Sequence, residues 1–170
     1  MKTLNVCPCT LSEGYHSYSP EALQRLFGGE KVSPQLSFSL KTPKGKGIPA
    51  SLSISGYQEK YGLRLQGNTL VLNEQEGRST HILKPISEMP KNEAFAPANE
   101  HLTMQIAQQV FGIETAESAL VFFADGTPAY LTKRFDVAPN GQRYAVEDFA
   151  SLLGKTPQTH GTDYKYTGAY

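Results

Sequence analysis

The chain has 170 residues, 39% hydrophobic and 19% charged, enough for one well-buried core or one lobe of a two-lobed protein. Its 16 Lys and Arg balance 16 Asp and Glu, so no global field marks nucleic acid or a membrane surface as a partner, and the only basic cluster is Lys41, Lys44 and Lys46. No apolar run reaches the length of a membrane span and MKTLNVCPCT carries no signal-peptide core, so the expected compartment is the cytoplasm, with Cys7 and Cys9 as thiols.

Ser19-Pro20-Glu21 has the composition of a helix start, an N-cap followed by proline and an acid. Leu23, Leu26 and Phe27 form its apolar face and Gly28-Gly29 ends it. Leu36, Phe38 and Leu40 alternate with polar residues and predict a half-buried strand. PKGKGIPA, residues 43–50, is expected to be a linker or mobile loop. Leu52 and Ile54 alternate with serines, a Gly56-bearing loop follows, and Leu63, Leu65, Leu70 and Leu72 alternate about a Gly67-Asn68 turn. His81 to Pro85 predicts another short strand, and residues 86–98 an irregular stretch. Asn99 to Phe111 is expected to be a helix with a stripe of Leu102, Ile106 and Val110, widened by Ala107 and Phe111. Ala119–Phe123 and Ala129–Phe135 flank Asp125-Gly126, a hairpin signal. A last helix is expected from about Ala145 to Leu153, Glu147 and Asp148 in its first turn, before an aperiodic tail from Thr156.

This order predicts an α+β fold with the elements of a kinase-like N-lobe: a small antiparallel sheet with one packed helix, a short N-terminal helix, and the start of a helical C-lobe. The expected divisions are an N-terminal segment 1–48, a nucleotide-binding lobe 49–136 and a following segment 137–170.

A loop that grips phosphate needs small residues, so that backbone N–H groups can approach the anion. Ser53-Ile54-Ser55-Gly56 meets that need. A kinase also needs a strand lysine for the phosphates, braced by a helix glutamate. Lys84 and Glu100 stand at suitable places in the order, although each alone is as readily a solvated charge. Cys7-Pro8-Cys9 with His16 offers three ligands at a spacing that suits structural zinc poorly, and no metal is expected there. His81, His101 and His160 have no metal spacing and are expected to be surface or loop residues.

SISGYQEKYGLRL (53–65), STHILKP (79–85), ANEHLTMQIAQQVFGI (98–113) and YLTKRFD (130–136) resemble, in order and spacing, the N-lobe of HipA-like serine/threonine kinases. GYHSYSPEALQRLFGGEKVSPQLSF (14–38) resembles the start of the shorter HipT-type members, which are toxins of bacterial type II toxin–antitoxin modules. The resemblance implies that Ser53, Ile54, Ser55 and Gly56 form the Gly-rich loop, with Ser53 and Ser55 as its autophosphorylation sites. It makes Lys84 the residue that contacts ATP phosphates, supported by Glu100. It places Lys133, Arg134, Phe135 and Asp136 at the hinge that contacts adenine. The first hinge position, often Glu in relatives, is Lys133 here, which leaves its side-chain role open.

Intact relatives phosphorylate an aminoacyl-tRNA synthetase using ATP and Mg2+, with a catalytic Asp and an Asn and Asp for magnesium in their C-lobe. No such motif occurs among Asp125, Asp136, Asp148 and Asp163, so no catalytic residue is assigned and no turnover is expected of this chain. The resemblance implies a HipB-like antitoxin, a HipS-like small protein and a separate C-lobe as partners, with neither direct nucleic-acid binding nor membrane association. The alternative function is a non-catalytic module that binds the antitoxin or the C-lobe.

Overall fold

A computed structural model describes residues 5–39, 59–73, 79–86, 92–138, 140–162 and 164–165. They form two compact units, 1–135 and 136–170, and each is described by itself.

The first unit is built on an antiparallel sheet. Its strands are β1 (Tyr61–Gln66), β2 (Thr69–Leu72), β3 (His81–Pro85), β4 (Ser118–Phe122) and β5 (Pro128–Lys133), in spatial order β2-β1-β3-β5-β4. Two hairpins account for most of the connectivity. Gly67-Asn68 joins β1 to β2, with Gly67 at φ +60, a conformation open to glycine at little cost. Asp125-Gly126 lies between β4 and β5, where the Asp125 carboxylate accepts from the Thr127 N–H at 3.0 Å. The fold is therefore α+β, as the element order predicts.

Strand pleating assigns the two sheet faces. Leu63, Leu83, Leu131 and Ala119 lie on one face and are fully buried. The N-terminal segment covers this face through Cys7, Cys9, Tyr18, Leu26, Phe27 and Leu36, completing one apolar cluster. Each fully buried leucine contributes about 1.5–3 kcal/mol by leaving water, so this layer carries the unit's stability. Within it, helix α1 (Pro20–Phe27) begins and ends as its sequence predicts. The Ser19 hydroxyl accepts from the Ala22 N–H at 3.1 Å, and Gly28 closes the helix at φ +67.

Residues 34–38 differ from expectation. They form an isolated parallel bridge, Gln35 to Phe122, beside β4 rather than a ladder strand, while Leu36 is buried and Phe38 meets Phe123 edge-on. Pro34 interrupts donation to a regular ladder. Leu40, the linker 43–50 and the strand at Leu52 and Ile54 lie outside the described residues.

Helix α2 (Ala96–Gln109) starts within the stretch expected to be irregular. Pro97 stands in its first turn, where a missing N–H costs nothing, so it opens the helix rather than blocking it. The larger correction concerns which side is buried. Pro97, His101 and Gln105 face the protein, whereas Leu102, Ile106, Val110 and Phe111 are exposed. The sheet face beneath carries Ser118 opposite Thr132, with Tyr130 two residues along β5, and these polar groups favour the helix side that can hydrogen-bond to them.

In the second unit, Val137 bridges Arg143 and the Asp136 carboxylate pairs with Arg143 at 3.2 Å. The expected last helix shortens to α3 (Phe149–Leu152), because Asp148 is its N-cap rather than a first-turn residue, accepting from the Ser151 N–H at 2.8 Å. Lys165 beside Asp148 holds that carboxyl down at about 2. A further short helix, α4 (Pro157–His160), is capped by Thr156 in the tail expected to be aperiodic.

Candidate functional site

The period of two that buries His81, Leu83 and Pro85 places Ile82 and Lys84 on the face covered by α2. Lys84 stands directly opposite Tyr130 in the β3–β5 register, and Tyr130 opposite Leu120 in β4. The Lys84 ammonium pairs with the Glu100 carboxylate from the first half of α2. It also lies 5.2 Å from the centre of the Tyr130 ring, within cation–π range. The Lys84 and Glu100 side chains are 21% and 31% exposed, so the pair is only partly sheltered from water. Such a pair contributes little net stability, at most about 1 kcal/mol. What it does is hold an ammonium group at a set place on the sheet.

Tyr130 is buried, which raises its phenol pKa; the Ser118 hydroxyl opposes this. Next to it, His101 Nδ1 meets the Ser118 hydroxyl at 3.3 Å. Burial pushes His101 down to about 4, with the Cys9 backbone acting the other way. Gln109 extends this polar contact by donating to the Thr10 carbonyl at 2.9 Å and to Gln105 at 2.7 Å.

His81 and His101 are thus core residues, a correction to their expected surface placement. His81 lies on the apolar face, bonded through Nε2 to the Leu26 carbonyl at 3.1 Å and through Nδ1 to Thr80 at 2.9 Å. Both ring nitrogens find partners without a charge, so a neutral imidazole fits where an imidazolium would be poorly solvated. His160 is exposed, as expected.

Ser53, Ile54, Ser55 and Gly56 lie outside the described residues. Lys133 ends β5, but its ammonium donates to the Arg25 carbonyl at 2.7 Å near the C-terminal end of α1, on the sheet face opposite Lys84. Arg134 donates to the Ser79 hydroxyl at 3.2 Å, and Phe135 is 69% exposed. Asp136 belongs to the second unit and is engaged by Arg143. Cys7 and Cys9 are buried free thiols, with the Cys7 sulfur accepting from the Ser19 N–H at 3.3 Å, and His16 is exposed.

The arrangement is a strand lysine and a helix glutamate joined across one face of an antiparallel sheet, in the order strand, helix, hairpin. The family model for the HipA-like C-terminal domain matches residues 52–170, well over half of the chain. The chain belongs to the HipA-like family. No curated protein matches it.

All of the Lys84, Glu100 and Tyr130 constellation falls within the HipA-like match, whereas α1 and the rest of the layer over the apolar face precede it. Tyr130, His101 and Ser118 escaped the sequence reading of this HipA-like chain. Tyr130 was recoverable in principle: the Asp125-Gly126 turn sets β4 against β5, although its partner Lys84 on β3 follows only from the sheet order. His101 was hidden by the assumption that the apolar stripe of α2 faces inward.

Proposed function

We propose that the α2 face of the sheet is the phosphate-holding part of a nucleotide site in a HipT-type serine/threonine kinase toxin of a toxin–antitoxin module. The observation that carries this reading is the Lys84–Glu100 pair beside Tyr130. In protein kinases a strand lysine pairs with a helix glutamate while contacting nucleotide phosphates. The lysine is then aimed before the nucleotide arrives, and little side-chain entropy is lost on binding.

In this proposal Lys84 takes the ATP phosphates, and the backbone N–H groups of Ser53–Gly56 cradle them. The backbone of Lys133 to Asp136 and the Phe135 ring meet adenine. Phosphate on Ser53 or Ser55 would add nearly two negative charges where ATP phosphates bind and so exclude nucleotide. Magnesium, when bound with ATP, would supply positive charge that offsets the phosphates. Among the described residues no group of three or more His, Cys, Asp or Glu could hold a metal, and the part proposed here for the chain's own residues is phosphate positioning. The protein substrate would be an aminoacyl-tRNA synthetase and the regulating partner a HipB-like antitoxin.

The test is an NMR titration with ATP and magnesium. Shifts should concentrate on Ile82, Lys84 and Tyr130, saturate only at millimolar nucleotide, and disappear in Lys84→Met. No shift, or the same shifts in Lys84→Met, would show that this face does not hold nucleotide.

A further inference from the structure

Helix α2 carries Glu100, and its outer ridge of Leu102, Ile106 and Val110 is exposed, so packing on that side does nothing to fix how the helix is rolled about its axis. That task falls to contacts on the inner side. His101 meets Ser118 of β4 one residue after Glu100. At the far end of the helix, Gln109 donates to the Thr10 carbonyl at 2.9 Å and to Gln105 at 2.7 Å. A roll of about 20° would move groups at the helix surface, about 5–6 Å from its axis, by about 2 Å. Such a shift exceeds the whole spread of hydrogen-bond lengths, and it would part the Glu100 carboxylate from the Lys84 ammonium.

Thr10 lies in a turn that is itself tied into the sheet. The turn closes through the Leu11 N–H to the Cys7 carbonyl at 3.0 Å and the Cys7 N–H to the Ser12 carbonyl at 2.8 Å. Cys7 and Cys9 seat it in the apolar layer. The Leu120 N–H of β4 donates to its Pro8 carbonyl at 2.9 Å, Leu120 stands opposite Tyr130, and Tyr130 stands opposite Lys84. One turn thus reaches Lys84 across β4 and β5 and reaches Glu100 along α2. All of its residues precede 52, where the HipA-like match begins. Resting on the nucleotide reading above, we propose that the turn of residues 7–12 positions the phosphate-holding pair, with Gln109 as its contact on α2. Gln109 is then a positioning residue that touches no nucleotide and acts through Glu100.

The experiment uses the whole chain. Gln109→Met removes the donor at nearly the same length, and Gln109→Lys restores one. Because Gln109 is exposed, the circular dichroism of Q109M should match the parent. NMR should show the Lys84 ammonium and Tyr130 ring resonances of Q109M moving towards their positions in Glu100→Gln, and returning in Q109K. In a Glu100→Gln background, Gln109→Met should move neither, because the pair is already broken. ATP should bind about threefold more weakly, or worse, to Q109M than to the parent. Unmoved Lys84 and Tyr130 resonances in Q109M, or no return in Q109K, would overturn the proposal. So would equal movement in the Glu100→Gln background, since Gln109 would then serve only the fold. A titration in which ATP shifts nothing in the parent would sink the nucleotide reading instead, and the same resonances would still decide whether the turn positions the pair.

Discussion

The two faces of the sheet are covered on different physical terms. One face meets the N-terminal segment through Leu63, Leu83, Leu131, Leu26 and Phe27, all buried and apolar. The other meets α2 through His101, Gln105, Ser118 and the Lys84–Glu100 pair. Apolar contact is strong and indifferent to direction, whereas polar contact is weaker overall but fixes particular atoms opposite one another. The first face supplies stability, and the second positions an ammonium group. The difference teaches that the helix bearing Glu100 is held by specific bonds, so perturbing it should move the site more than the fold.

The widest separation should come from truncating side chains. Leu83→Ala on the apolar face should cost about 2–5 kcal/mol in urea unfolding, because both the buried methyl groups and their packing are lost. If the cost fell below about 1 kcal/mol, the apolar layer would not be the main source of stability.

Acid should divide the two faces next. Burial pushes His81 and His101 down from 6.5 to about 4. As pH falls from 6.5 towards 4, the unfolded chain takes up these protons before the folded chain does. Stability is therefore full above pH 6.5 and lost on the way down, by about 3 kcal/mol for each histidine. His101→Asn should retain only the His81 share of this dependence, measured as the midpoint of unfolding against pH. An unchanged slope would mean that His101 is not held neutral between α2 and β4.

A smaller effect is expected at the ion pair. Glu100→Gln should change stability by less than about 1 kcal/mol yet shift the Lys84 and Tyr130 resonances, since the ammonium loses its partner. The smallest belongs to the outer ridge, where Leu102→Ser should stay within about 0.5 kcal/mol. A loss near that of Leu83→Ala would show that the ridge is packed in solution.

Much of the fold was legible because its signals are local. Ser19-Pro20 and Gly28 delimit α1, Gly67-Asn68 and Asp125-Gly126 turn the hairpins, and alternation in HILKP separates Lys84 from Leu83. The pairing of Lys84 with Glu100 was also foreseeable as a pattern, though not as a contact. The orientation of α2 was not. Its apolar stripe is real, but periodicity tells only that a helix has two sides.

By itself the sequence determined where these elements begin and turn, because caps, glycines and strand alternation act over a few residues. Tertiary structure alone decided that Lys133 reaches α1 rather than the Lys84 face, that His81 and His101 are buried, and that α2 turns its polar side inward. The physical reason is shared: burial is a property of two surfaces, and the polar groups of Ser118, Tyr130 and Thr132 meet α2 only once β4 and β5 have paired and the helix has packed on them.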